Sequence, residues 1–264
     1  MAELSDALLD GKVVLVSGGT QGLGAAVASA ATRNGADVVV TGRRKDVGEQ
    51  FAARLAERSE RTIHYVQADA GDVGQGQAAV QETVDTFGRI DGLVNCAGLT
   101  TRGTMLDTTP ELFDEHVAVN LRGPFFLMQA AIKDMVARGE GGSIVNIITM
   151  AAHGGQPYLA PYVASKSGLV GLTRNAAFAH RWDRIRINGV NIGWTETDGE
   201  DATQRRFHGA GDDWLEKAAA SLPMGKLGQV DEIADFVVFL LSPRSGVVTG
   251  SVLDWDQVVP GAND

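Results

Sequence analysis

Seven short apolar runs punctuate this chain, at 13–17, 37–41, 63–67, 92–95, 143–148, 186–191 and 252–255. Several run on without the polar alternation that a half-wet strand would show. A strand that is apolar throughout must be covered on both faces, as strands of a parallel sheet are. Alanine-rich or amphipathic stretches of helical length lie between the runs, at about 22–34, 47–59, 74–87, 110–136, 161–181 and 230–241. Strand–helix alternation at this spacing predicts an α/β fold, a doubly wound parallel sheet of seven strands with helices on both faces. The 264 residues suit one domain, 1–264, with room for a substantial core.

Charge and cysteine content exclude several function classes. Lysine and arginine number 23 against 33 aspartates and glutamates, a net charge of −10. Nucleic-acid binding needs a basic surface, so that partner is not expected. Cys96 is the only cysteine, which rules out an intrachain disulfide and a cysteine-rich zinc site. No His/Asp/Glu set suggests another metal. The acidic stretch 1–11 lacks the basic and apolar regions of a signal peptide, and no run reaches the roughly 18 apolar residues of a membrane span. These features predict a soluble, cytoplasmic protein without a membrane partner. The polar segment 194–222, carrying Gly199, Gly209 and Gly211, reads as one long irregular stretch and a substrate lid.

The first predicted strand runs into Ser17-Gly18-Gly19-Thr20-Gln21-Gly22-Leu23-Gly24 and then a helix. Glycine lets a backbone turn sharply and approach a ligand, and a helix N-terminus offers free N–H groups and a positive dipole end. A tight turn without a ligand is the plain alternative. Placed after the first strand of an α/β pattern, the segment predicts a Rossmann-like dinucleotide site. The second strand ends Val40-Thr41-Gly42-Arg43-Arg44, with no acidic residue for a ribose diol. Two guanidinium groups suit a 2′-phosphate instead, so NADP(H) is preferred, with NAD(H) possible.

Tyr162 and Lys166 stand four apart, one turn on the same helix face. A phenol near pKa 10 is a poor acid or base at pH 7; lowering it by about three units takes roughly 4 kcal/mol. A cation about 4 Å away at an effective dielectric near 20 supplies about that much. The spacing therefore leads us to expect a phenol activated by its lysine. Thr149 precedes Tyr162 by thirteen residues, just past a strand end on the edge where parallel sheets bind ligands. Asn120, within a helical run, competes for local backbone hydrogen bonds and can kink the helix.

The spacing Gly18-x-x-x-Gly22-x-Gly24, with Asn95-Cys96-Ala97-Gly98, Asn120, Thr149 and Tyr162-x-x-x-Lys166 in that order, resembles the classical short-chain dehydrogenase/reductase family. The resemblance runs from about Val13 to Asp256. It implies an NAD(P)-dependent oxidoreductase interconverting a carbonyl and a secondary alcohol. Tyr162 would exchange the proton, Thr149 orient the substrate oxygen, Lys166 hold the ribose, and Asn120 keep a water relay. Gly18, Thr20, Gln21, Gly22, Leu23, Gly24, Arg43, Arg44, Asp69, Ala70, Asn95, Ala97, Gly98, Gly193, Thr195 and Thr197 would bind cofactor with Tyr162 and Lys166. Asp69 would meet the adenine edge and Thr197 the carboxamide. Three positions depart from the pattern: Thr149 replaces the usual serine, Cys96 an asparagine, and Ile192 a proline.

His153, Gln156, Trp194, His208 and Trp214 are the substrate-pocket candidates. Their mix of polar groups and aromatic faces suits a sugar, a polyol or another small hydroxylated molecule. A 3-oxoacyl-(acyl-carrier-protein) reductase-like activity is the alternative. A non-catalytic NADP-binding sensor is the rival of another class. Family resemblance further implies a homotetramer built through 110–136, 161–181 and the last strand.

Overall fold

All five residues of β1, Val13–Ser17, are buried, as are the four of β4, Gly92–Asn95. The two pair in parallel at the centre of the sheet. In this computed structural model, which describes residues 7–261, seven strands among the described residues form one sheet. The others are β2 (Asp37–Gly42), β3 (Ile63–Gln67), β5 (Gly142–Thr149), β6 (Ile185–Ile192) and β7 (Val252–Trp255). Their order is β3-β2-β1-β4-β5-β6-β7, parallel throughout. The strand order reverses between β1 and β4, and ligands of such sheets bind outside the carboxyl ends of the strands at that point.

Two cores sandwich the sheet. On one face, α1 (Gly22–Arg33) and α9 (Val230–Leu241) pack through Val27, Ala30, Ile233, Val237 and Leu240. On the other, α3 (Val73–Phe87), α5 (Gly123–Arg138) and α6 (Ala160–His180) cover Leu15, Leu93 and Ile144. The remaining helix of the first half is α2, Lys45–Ala56.

The structure extends some predicted elements. Parallel pairing carries β5 and β6 past their apolar runs, from Gly142 opposite Ile185 to Thr149 opposite Ile192. The helix expected over 110–136 is α4 (Pro110–Val117), then a π turn over Ala118–Arg122, then α5. Asn120 is buried inside that turn. Segment 194–222 is not irregular: it holds α7 (Asp198–His208) and α8 (Trp214–Ala220). Thr197 caps α7 by accepting from the N–H of Glu200. Acidic residues fill the first turn of α7 and basic ones its last, complementing the dipole. Trp214, Ala218 and Leu227 form a small separate core. No helix among the described residues is long and apolar enough to cross a membrane.

Candidate active site

The glycine turn closes on the neighbouring strand ends. Gly18 has φ +74°, and a Cβ there would lie 2.8 Å from the backbone of Ala97. A Cβ on Gly24 would lie 2.1 Å from the carbonyl oxygen of Gly18, so the helix start folds directly under the turn. Gln21, at the N-cap, makes no side-chain cap, which leaves the first N–H groups of α1 available to a ligand. Across from them, the methyl of Thr197 comes within 3.9 Å of where a Gly22 Cβ would stand. A small cavity beside the turn is lined by Asp69, Ala70, Asn95 and Ala97 among others. Asn95 donates to Asn146 Oδ1 at 2.7 Å, while its own Oδ1 is buried without a partner among the described residues. Arg43 and Arg44 are exposed at the end of β2, beside Thr20, and Arg44 donates to Gln21 Oε1. A glycine cradle, uncapped N–H groups, an unpaired amide oxygen and two arginines form a set that fits a phosphorylated dinucleotide.

The chemical end gathers on β5, α6 and the π turn. Thr149 ends β5 in extended conformation, its Oγ1 accepts from Ala151 N–H at 3.2 Å, and its hydroxyl acts on the phenol of Tyr162. Burial pushes that phenol up to about 12; the Thr149 hydroxyl and the positive charge of Arg102 oppose the rise, and Glu200 adds to it. Lys166 is buried, donates to the carbonyl oxygen of Ile147 at 2.7 Å, and is pushed down to about 8 by burial. In the chain alone, burial outweighs every influence that lowers the phenol. Helical spacing brings the pair onto one face, but burial dominates the phenol and Lys166 is not among its main electrostatic influences. The Cys96 thiol is likewise pushed up to about 12 by burial, so it is no ready nucleophile.

Asn120 is anchored on both sides. Its Oδ1 accepts from Leu99 N–H at 2.8 Å, and its Nδ2 donates to Leu99 O at 3.0 Å and to Ser165 Oγ at 3.1 Å. Ser165 in turn donates to the main-chain oxygen of Tyr162 at 2.8 Å. A Cβ on Gly98 would sit 3.7 Å from Asn120 Oδ1 and 3.8 Å from Lys166 Nζ, so Gly98 keeps this corner open.

The pocket candidates do not all converge. His153 Nε2 pairs with Asp254 Oδ1 at 2.8 Å, and Asn191 donates to the same oxygen at 2.8 Å. Gln156 is exposed, with φ +51°. Trp194 donates to Glu200 at 2.8 Å and lies 6.1 Å from Trp214, which is buried in the small core and donates to Asp201 at 2.7 Å. His208 ends α7 and meets Tyr158 edge-on at 5.2 Å. Gly193 and Thr195 shape the turn after β6: a Gly193 Cβ would strike the Asp256 carboxylate, and Thr195 donates to Gly193 O at 2.9 Å. Sequence reasoning missed Arg102 and Glu200, the two opposite charges that act on the phenol.

Known proteins resemble this chain in sequence and in fold. Residues 18–257 match a family model described as Enoyl-(Acyl carrier protein) reductase. An L-rhamnose 1-dehydrogenase (NAD(P)(+)) of Sphingomonas sp. (strain SKA58) is 34% identical, covering 93% of this chain and 95% of its own length. The NADP-dependent (R)-specific alcohol dehydrogenase of Lentilactobacillus kefiri is also 34% identical, over 92% and 94%. The crystal structure of L-sorbose reductase from Gluconobacter frateurii, complexed with NADPH and L-sorbose, superposes with a TM-score of 0.91 at 26% identity, covering 98% of this chain and all of the other. The chain belongs to the short-chain dehydrogenase/reductase family. It is an NAD(P)-dependent oxidoreductase of carbonyls and secondary alcohols.

Proposed function

We propose that Tyr162 is the proton donor and acceptor of this reaction, acting on a small hydroxylated, sugar- or polyol-like substrate, with NADP(H) as the preferred cofactor. The observation that carries the reading is the gathering at one sheet edge of Thr149, which ends β5, and of Lys166, buried one turn from Tyr162 on α6 and bonded to Ile147 O. When bound, the nicotinamide would supply or accept the hydride, the one piece of chemistry the chain's own residues lack. In the reducing direction the phenol gives its proton to the substrate oxygen, which Thr149 orients by hydrogen bonding. A phenol held at high pKa keeps its proton until the oxygen becomes basic. Lys166 brings a positive charge to the phenolate and the ribose, and the site also uses Tyr162 to hold that ribose. Asn120 fixes the water relay from its anchored π turn.

The N–H groups of Gly18–Gly24 would hold the pyrophosphate. Asp69 would take the adenine edge and Thr197 the carboxamide. Arg43 and Arg44 supply the charge for a 2′-phosphate, and Gln21 orients Arg44. Segment 194–222 serves as the substrate lid of a single domain, with α7 as its moving part. The polar groups over the phenol, and relatives named for rhamnose and sorbose, support a hydroxylated substrate over an acyl thioester. Intact Tyr162 and Lys166 favour an enzyme over a sensor. Exposed Phe113, Phe125, Phe178 and Trp182 on α4, α5 and the end of α6 support a homotetramer, which light scattering tests. Composition supports a cytoplasmic setting.

The experiment is a panel of sugars, polyols and simple ketones assayed with NADPH and NADH by nicotinamide absorbance. Turnover of hydroxylated carbonyls, faster with NADPH, is the expected result. Cofactor binding without turnover of any member would contradict it.

A further inference from the structure

Arg102 has no carboxylate partner among the described residues, and the loop that carries it is bonded to the segment just before Tyr162. It lies in the loop between β4 and α4, and two backbone bonds fix that loop beside the start of α6: Gly103 N–H to Tyr158 O at 2.9 Å and Ala160 N–H to Gly103 O at 3.0 Å. Tyr162 follows two residues later, so the position of Arg102 relative to the phenol is built into the backbone. Its guanidinium donates from Nη1 to Thr100 O at 2.9 Å, and Nη2 meets His208 Nε2 at 3.3 Å. It stands 5.4 Å over the Tyr158 ring. Nε is buried and has no partner among the described residues. Nor does any carboxylate among them lie within ion-pair distance of Arg102.

What sets Arg102 apart is its buried, unpartnered Nε, not the lack of an ion pair. Glu200, which also acts on the phenol, is engaged by Trp194 Nε1 at 2.8 Å and Gln204 Nε2 at 2.7 Å. A guanidinium is a planar fork matched to a carboxylate, and a buried N–H left unpaired is costly until something accepts from it. An α7 residue, His208, holds the other side of the fork. A ligand seated there would touch both the body of the protein and α7.

We propose that Arg102 is a specificity-determining residue that grips a carboxylate on the substrate, so that the enzyme acts on hydroxy or oxo acids, such as a sugar acid or a ring ketone bearing a carboxylate. The inference rests on Tyr162 being the proton donor, as argued above. Substrates would be held at two points: the reacting carbon at Tyr162 and Thr149, and the acid at Arg102. The same positive charge eases ionisation of the phenol.

Paired compounds test it: cyclohexanone against 4-oxocyclohexanecarboxylate, and an aldose against its uronic acid. In the native enzyme the acid of a pair should show the higher kcat/KM, by about 30-fold or more, the scale of a charge-assisted fork. Arg102→Ala should erase most of that ratio, chiefly through KM, and move the limiting alkaline ionisation upward. Arg102→Lys should restore part of the ratio. Binding of cyclohexanecarboxylate, which cannot react, gives a readout independent of turnover; by calorimetry its Kd should rise about 10-fold or more in Arg102→Ala. A native enzyme indifferent to the acid group, or a ratio and Kd unmoved in Arg102→Ala, overturns the proposal. Carboxylate binding that depends on Arg102, in a protein that turns over no carbonyl, sustains the grip and contradicts the reaction assigned to Tyr162.

Discussion

The ammonium of Lys166 donates to the main-chain oxygen of Ile147 over 2.7 Å, which ties the residue after the tyrosine's first turn to the body of β5. Lys166 is 4% exposed, and burial holds it down to about 8. It is thus a charge kept in place against its own preference, one turn from the phenol it serves.

Lys166→Met should therefore stabilise the fold while removing activity. The drop from the ordinary 10.5 to about 8 corresponds to about 3 kcal/mol of penalty on the charged form. Losing the bond to Ile147 O returns about 1 kcal/mol. A net gain of about 2 kcal/mol should raise Tm by roughly 5 °C in a domain of this size. The direction with pH follows from the lowered pKa. The penalty is full below pH 8 and fades as pH rises from 8 towards 10.5, so the advantage of Met should shrink over that window. Calorimetry at pH 7 and pH 10 checks both statements.

Thr149 opposes the rise of the phenol, so its hydroxyl and not its methyl is the functional part. Thr149→Ser should keep activity within about threefold, because the hydroxyl remains. Thr149→Val should lower kcat by about 10²-fold across the whole pH range. Steady-state kinetics from pH 6 to 11 would separate the two variants.

Cofactor choice should reside at the end of β2. Replacing Arg43 and Arg44 with alanine should raise KM for NADPH by about 10- to 100-fold and change KM for NADH much less, since only the 2′-phosphate loses its partners. Equal losses with both cofactors would point to damage of the turn instead.

Much of the fold was legible because burial on both faces writes itself into β1 and β4 as apolar runs, and into β5 as a run broken only by Asn146. The disturbance at Asn120 was legible too, since an asparagine inside a helical run has few other uses, and it became the π turn. The helix α7 was missed because it is polar all round and has no apolar period. Its available signals were the Thr197 cap and the Asp201–Arg205 pair four residues apart. Arg102 was missed because it sits in a loop placed by bonds to residues distant in sequence, among them Tyr158 and Ala160, more than fifty residues away. The raised phenol was missed for a related reason: spacing of four sets which face two side chains share, but not where the ammonium is bound.

Tyr162→Phe tests the account most directly. It removes one oxygen from a half-buried side chain and leaves the glycine turn and arginines untouched. Single-turnover rates with NADPH and a reactive carbonyl should fall by about 10³-fold or more, while NADPH affinity, read by fluorescence titration, weakens by no more than about tenfold, the loss of one hydrogen bond to the ribose. A variant that reduces the carbonyl at the native rate would contradict the assignment of the proton to Tyr162.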